Sequence, residues 1–308
     1  MLALPSLLSA VFLMSGAPVQ ATPPQDPPAT VVDDVVVNGR SLRQTVEAFV
    51  SEITSPPPGH GPARWDRRVC VGVVNLRRDA AQIVIDQVSA AATLIDLEPA
   101  GPGCSPNILV IATADANALA NALVEGQPNA FRPDYAGASR SARALEAFRT
   151  TSEPVRWWHV SMPVTRDQGA PAVRMPDGGP PTIPGGGLLT TEVTNRLLRS
   201  FVILDISKME GATFQQVGDY VAMVALAQID PDADTASFDT VMNLFDQPRH
   251  AETLTEWDQA YLRALYGAYL NERNPNAQLG SVGSVMVRDR RAAERAGRTP
   301  APAPGPGR

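Results

Sequence analysis

The chain has 308 residues, of which 44% are hydrophobic and 19% charged, with a formal net charge of −6 at pH 7. That balance suits a globular core rather than a disordered chain, and the negative charge gives general nucleic-acid binding no electrostatic support. Lys208 is the only lysine, so almost all positive charge is arginine.

The apolar run from Leu2 to Met14 is shorter than the ~20 residues a membrane span needs. It leads through Ser15 and Gly16 to the small residues Val19 and Ala21, the pattern of a signal-peptidase site. Residues 1–21 therefore read as an export signal, which predicts a periplasmic or secreted protein. No later segment is long and apolar enough to cross a membrane. Residues 22–40 form a Pro-rich lead. One globular domain is expected over 41–285, followed by a basic, Pro-rich tail over 286–308 that reads as disordered.

Ser41 is placed to cap a helix whose apolar face is Leu42, Val46, Phe49, Val50 and Ile53. A strand over Arg67–Val74, a helix from about Asp79 and a strand at 107–112 make a β-α-β unit, which predicts parallel pairing. Cys70 lies in the first of these strands and Cys104 just before the second. In an exported chain two cysteines so placed predict a disulfide. Asp115 caps a helix through Val124, and a further helix covers about Ala142–Phe148. Val155–Ser161 reads as a strand, and the Pro- and Gly-rich stretch 165–187 as a long loop. A strand at 201–206 precedes a helix opened by a capping box of Thr213 and Gln216. From Tyr220 to Ile229 only Gln228 is strongly polar, so this helix is expected to be buried on most sides. A second capping box, Thr253 with Glu256, is expected to open a helix that buries Trp257, Tyr261, Leu265 and Tyr269.

The chain offers little local chemistry. His60, His159 and His250 share no i, i+4 spacing, and no HExxH, CxxC or GxSxG motif is present. No metal and no cofactor is expected. Asp230-Pro-Asp-Ala-Asp234 has the alternating acids of a calcium loop. Thr235 and Val241, however, stand where that loop needs glycine and a bidentate glutamate, so it reads as a solvated turn. Arg64-Trp-Asp-Arg-Arg68 reads as a structural network of Asp66 with arginines at a strand end, with anion binding as the alternative. Trp157 and Trp158, adjacent on a strand, point to opposite faces. One is expected in the core and the other on a binding surface, with His159 partly buried beside them.

Two stretches carry a family resemblance: Asp239-Thr-Val-Met-Asn-Leu-Phe245, and Leu254-Thr-Glu-Trp-Asp-Gln-Ala-Tyr-Leu-Arg-Ala-Leu-Tyr-Gly267. They are similar to the methionine turn of matrixin-like zinc peptidases and the last helix that follows it, with Met242 as the turn methionine. The order of elements over about 66–270 also resembles the zincin class. The chain further looks like a group of uncharacterised exported bacterial proteins that keep this frame without the metal motif. The resemblance implies an α+β, zincin-like fold: a mixed β-sheet with a β-α-β start, a buried central helix and a C-terminal helical part. Where that family carries His-Glu-x-x-His, this chain reads Val217-Gly-Asp-Tyr-Val-Ala-Met-Val-Ala-Leu-Ala-Gln-Ile229, so no catalytic residue is carried over. The leading expectation is a metal-free module of the cell envelope that binds an extended peptide or an envelope protein, through Trp157, Trp158 and His159. The alternative is a hydrolase with a non-standard site drawn from Asp205, Glu210 or Asp219 with His159, Asp219 being the candidate acid or base. A third reading is an envelope assembly factor acting through its arginine-rich ends.

Overall fold

Local sequence signals set the first half of the fold. In the computed structural model, which describes residues 41–173, 186–246 and 253–298, Ser41 and Gln44 close a capping box on α1 (Leu42–Ile53). β1 (Arg68–Val69) and β2 (Val71–Val74) lead into α2 (Arg78–Leu94), and β3 (Glu98–Pro99) and β4 (Ile108–Thr113) follow. β2 and β4 pair in parallel, as the β-α-β reading requires, and β1 pairs with β3 in a separate parallel ribbon. α3 (Ala116–Gly126) takes its N-cap from Asp115. α4 (Pro128–Phe131), α5 (Ala142–Thr150), β5 (Val155–Thr165) and β6 (Val193–Asp205) come next. A 3-10 turn at Ile206–Lys208 precedes α6 (Phe214–Leu226), whose capping box is Thr213 with Gln216. A second turn at Val241–Asn243, then α7 (Glu256–Gly267) and α8 (Pro275–Arg298), complete the described elements.

The larger sheet has the order β2-β4-β6-β5, parallel except for β5, which runs antiparallel along one edge. Side-chain alternation on these strands sorts the core into two layers. On one face α1, α2, α6, α7 and α8 enclose the main core, which includes Val110, Trp157, Val202 and most of α6. On the other, α3, α4 and α5 cover a smaller cluster around Phe131, Phe148, Trp158 and Ile203. The mixed α and β architecture is thus present, with all described residues in one unit. α6 lies against α2 at Gly218, where a Cβ would stand 2.9 Å from Gln87 Cβ and 3.4 Å from Val84 Cα. Only glycine lets the two helices approach this closely.

Cys70 and Cys104 are bridged, with Cα atoms 6.1 Å apart and a separation of 34 positions in sequence. The bridge ties the β1–β2 junction to the segment before β4. There Asn107 holds both sides, accepting from Cys70 N–H at 2.7 Å and donating to Arg68 O at 3.1 Å.

Several expectations are corrected. The tail does not begin at 286: α8 continues to Arg298, because Val282, Met286 and Val287 are buried in the main core. Arg290 also stacks over the Trp257 ring at 4.8 Å. The cap of α7 is Thr255 with Asp258, not Thr253 with Glu256. Tyr269 is 63% exposed and lies past the end of α7. β5 runs on to Thr165 and β6 starts at Val193, so both strands take residues from the ends assigned to the loop and its flank. The segment after β5 turns back along it, with Thr165 N–H donating to Ala170 O and Ala172 N–H to Pro163 O. The export signal, the Pro-rich lead, the middle of the loop 165–187, His250 and the last ten residues lie outside the described residues.

Candidate functional site

The aromatic and histidine cluster singled out in the sequence proves to be the C-terminal cap of α6. A helix leaves its last carbonyls without intrahelical donors, and buried ones must be satisfied from elsewhere. His159 Nε2 lies 2.7 Å from Val224 O, Trp65 Nε1 donates to Ala225 O at 2.9 Å, and Tyr266 Oη donates to Leu226 O at 2.8 Å. Just beyond the helix, Trp157 Nε1 donates to Ile229 O at 3.0 Å. Trp158, on the other face, donates from Nε1 to Phe131 O at 2.8 Å. Both tryptophans are buried, at 5% and 2% exposure, so neither ring offers the open surface expected of it.

Burial lowers the His159 pKa to about 4, against the pull of the Val224 carbonyl and with a small further push from Arg140. His159 is therefore neutral at pH 7 and donates from Nε2. The unfolded chain takes this proton near pH 6.5 and the folded chain only near 4. The stability due to His159 is thus complete above about 6.5 and is lost as pH falls toward 4, by on the order of 2–3 kcal/mol. His60, whose pKa burial also lowers, titrates in the same direction. The expected result is that His159→Gln, which keeps an N–H donor without a titrating ring, flattens the urea-unfolding profile between pH 6.5 and 4 relative to wild type. An unchanged profile would remove His159 from the account.

The alternative acid–base set is not brought together. Asp219 is 3% exposed and accepts from Gln87 Nε2 at 2.8 Å and Leu254 N–H at 3.1 Å, which ties α2 and the entry to α7 onto α6. Asp205 accepts from Ser207 and pairs with Lys208 at 3.1 Å. It lies opposite Pro154 at the end of the strand pair, about 17 Å along β5 from His159. Glu210 follows it in the loop before α6. Among the described residues no group of three or more His, Cys, Asp and Glu side chains is placed to hold a metal ion.

The arginine cluster before β1 is structural too. Arg64 Nη1 donates to the carbonyls of Leu265, Tyr266 and Ala268 at 2.7–3.0 Å, closing the end of α7. Asp66 pairs with Arg196, and Arg67 and Arg68 with Glu98.

A larger cleft of about 550 Å³ lies beside these arginines, lined by Arg64, Asp66, Arg166, Arg196 and Arg263. A smaller cavity of about 180 Å³ lies between α5, the first half of β5, α6 and the segment 230–246. Its walls mix the apolar and aromatic side chains Phe148, Trp157, Trp158, Tyr220, Met242 and Phe245 with charged ones. Met242, in the turn after Thr240, closes one side. Tyr220 is 7% exposed and makes edge contacts with Trp157 and Phe245, yet its hydroxyl has no hydrogen-bond partner among the described residues. Burial, with the negative charges of Glu153 and Asp246, pushes its pKa well above the usual tyrosine range, so the hydroxyl stays protonated. Arg140 and Asp230 bound the opening with an ion pair at 3.1 Å. Arg156, 2% exposed, turns its guanidinium to the carbonyls of Phe148, Arg149 and Thr151 and so caps α5.

The smaller cavity opens beside the outer edge of β5. Asp205 N–H donates to Pro154 O, so with two-residue alternation the backbone groups of Val155, Trp157 and His159 face outward from the sheet. Among the described residues no strand pairs with that side of 155–159. Farther along, Ser161 N–H reaches Ala138 O and Pro163–Thr165 pair with the returning chain. Tyr220 and Arg140 were not legible as site residues: one sits in an apolar helical run, the other in an ordinary loop. No protein-family model, no curated protein and no solved structure matches the chain.

Proposed function

We propose that the chain is an exported, metal-free binding module of zincin-like architecture that holds an extended peptide, such as a segment of an envelope protein, along the outer edge of β5. The observation that carries this reading is that no described strand pairs with the outward side of Val155, Trp157 and His159, which lies beside the cavity; Val155 and Trp157 are themselves 2% and 5% exposed, so a peptide reaches this edge by displacing what covers it. An extended peptide gains affinity from main-chain hydrogen bonds to such an edge and specificity from a side chain in an adjoining pocket. The zincin-like part is supported by an antiparallel edge strand that precedes the last parallel strand, by the buried helix that follows it, and by Met242 in a short turn at the cavity wall. Export is supported by the signal-like first 21 residues and by the Cys70–Cys104 bridge, which suits an oxidising compartment.

The expected result is that an extended peptide protects the amides of Val155, Trp157 and His159 from hydrogen exchange. Methylating alternate peptide nitrogens, on the side that would face β5, should abolish the protection. Binding that leaves these three amides unprotected would place the ligand elsewhere and end this reading.

A further inference from the structure

The lining of the cavity carries more acid than base, with Glu153, Asp230, Asp232 and Asp246 against Arg140 and Arg156. Glu153, Asp232 and Asp246 are exposed and have no ion-pair partner among the described residues. The two arginines nearby do not fully balance them. Arg140 is matched by Asp230, and Arg156 turns its Nη groups to the carbonyls at the end of α5, so its charge offsets the acids only in part. The walls also carry aromatic rings, and aromatic faces attract cations. Tyr220, a residue nine-tenths buried in the lining, has no hydrogen-bond partner for its hydroxyl among the described residues, and that oxygen is able to accept a hydrogen bond. A polar group without a protein partner in a cavity wall is available to a ligand atom. A cleft with a net excess of one sign of charge also concentrates ions of the other sign.

We infer that the cavity recognises a cationic side chain, lysine or arginine, with its charge among Glu153, Asp232 and Asp246, its stem against Trp157 and Phe245, and a donor on the Tyr220 oxygen. A neutral hydrophobic side chain would fill the walls but leave the Tyr220 hydroxyl unpaired. An acidic one would meet three like charges. The inference rests on reading this cleft as a peptide-binding site, and it adds which residue the peptide presents there.

Two probes separate the inference from that reading. Benzamidinium, a small aromatic cation, tests the cavity alone, with benzamide as its neutral counterpart. Extended peptides carrying arginine or citrulline at one position test the cavity and the edge together. By calorimetry and tryptophan fluorescence, benzamidinium is expected to bind at least tenfold tighter than benzamide. Tyr220→Phe should weaken it several-fold, and Glu153→Gln with Asp246→Asn should remove most of the preference. The arginine peptide should exceed its citrulline partner by a similar factor. Peptides that bind and protect β5 without discriminating arginine from citrulline would overturn the inference and leave the binding reading standing. Benzamidinium binding that responds to these variants, with no peptide binding, would leave the cation pocket and overturn the peptide reading. Equal binding of benzamidinium and benzamide, or no response to Tyr220→Phe and the acid neutralisations, would overturn the inference. Circular dichroism confirms that each variant is folded before it is scored.

Discussion

Asp258→Ala is expected to lower stability by about 3–5 kcal/mol, the largest single-residue effect in the molecule. The carboxylate is fully buried and accepts four hydrogen bonds: from Thr240 Oγ1 at 2.5 Å, Val241 N–H at 2.8 Å, Thr255 N–H at 3.0 Å and Thr255 Oγ1 at 2.9 Å. Burial pushes its pKa up while these donors pull it down. Alanine leaves the Thr240 hydroxyl and the Val241 N–H buried without an acceptor, at about 1–3 kcal/mol each, and removes half of the α7 capping box, about 1 kcal/mol more. Asp258→Asn keeps one acceptor oxygen but turns an N–H₂ group toward donors, so it should cost less than alanine and more than a surface change. Urea unfolding followed by tryptophan fluorescence measures both. A loss below about 1 kcal/mol for alanine would mean that the turn is held by its apolar contacts. Because the same carboxylate positions Thr240–Asn243, and Met242 forms a cavity wall, Asp258→Asn should also weaken benzamidinium binding while Glu153, Asp232 and Asp246 are untouched.

Removing the Cys70–Cys104 bridge comes next in size. Opening a loop of 34 residues restores unfolded-state entropy worth about 3–4 kcal/mol on the chain-entropy model. The Cys70→Ala, Cys104→Ala protein should unfold at lower urea, and because the effect lies in an expanded unfolded state, its m-value should rise rather than stay constant. Wild type under reductant should match it. Coincident unfolding of the oxidised and reduced proteins would show that the bridge contributes nothing. The two largest effects thus act on opposite states: Asp258 on the folded chain, the disulfide on the unfolded one.

Residue by residue, the legible and the illegible parts of this chain differ in range. Ser41, Asp115 and Thr213 announced their helices because an N-cap bonds an N–H two or three residues ahead, within any short window of sequence. The one cap read wrongly offered two registers, Thr253 with Glu256 or Thr255 with Asp258. The choice was made by Thr240 and Val241, far back along the chain, whose donors only Asp258 reaches. The basic tail looked disordered by composition, yet Val282, Met286 and Val287 found a core to fill. His159 and Trp157 looked like binding residues because polar aromatic groups on a strand often are. They are instead spent on the last carbonyls of a helix more than sixty residues later.

By itself, then, the sequence determined what local periodicity, short-range capping and cysteine placement can determine: the main elements from α1 to α7, the parallel β-α-β start, the disulfide and the buried central helix, but not α8. Only the tertiary structure decided which polar side chains are occupied and which are free. The C-terminal carbonyls of α5, α6 and α7 are satisfied by Arg156, by His159, Trp65 and Tyr266, and by Arg64, all from outside the helix they close. Tyr220, the one aromatic in an apolar helical run, is a residue left with its hydroxyl unpartnered in a cavity wall. A buried carbonyl takes whichever donor the fold brings to it, and the donors left over cannot be counted until the chain has closed.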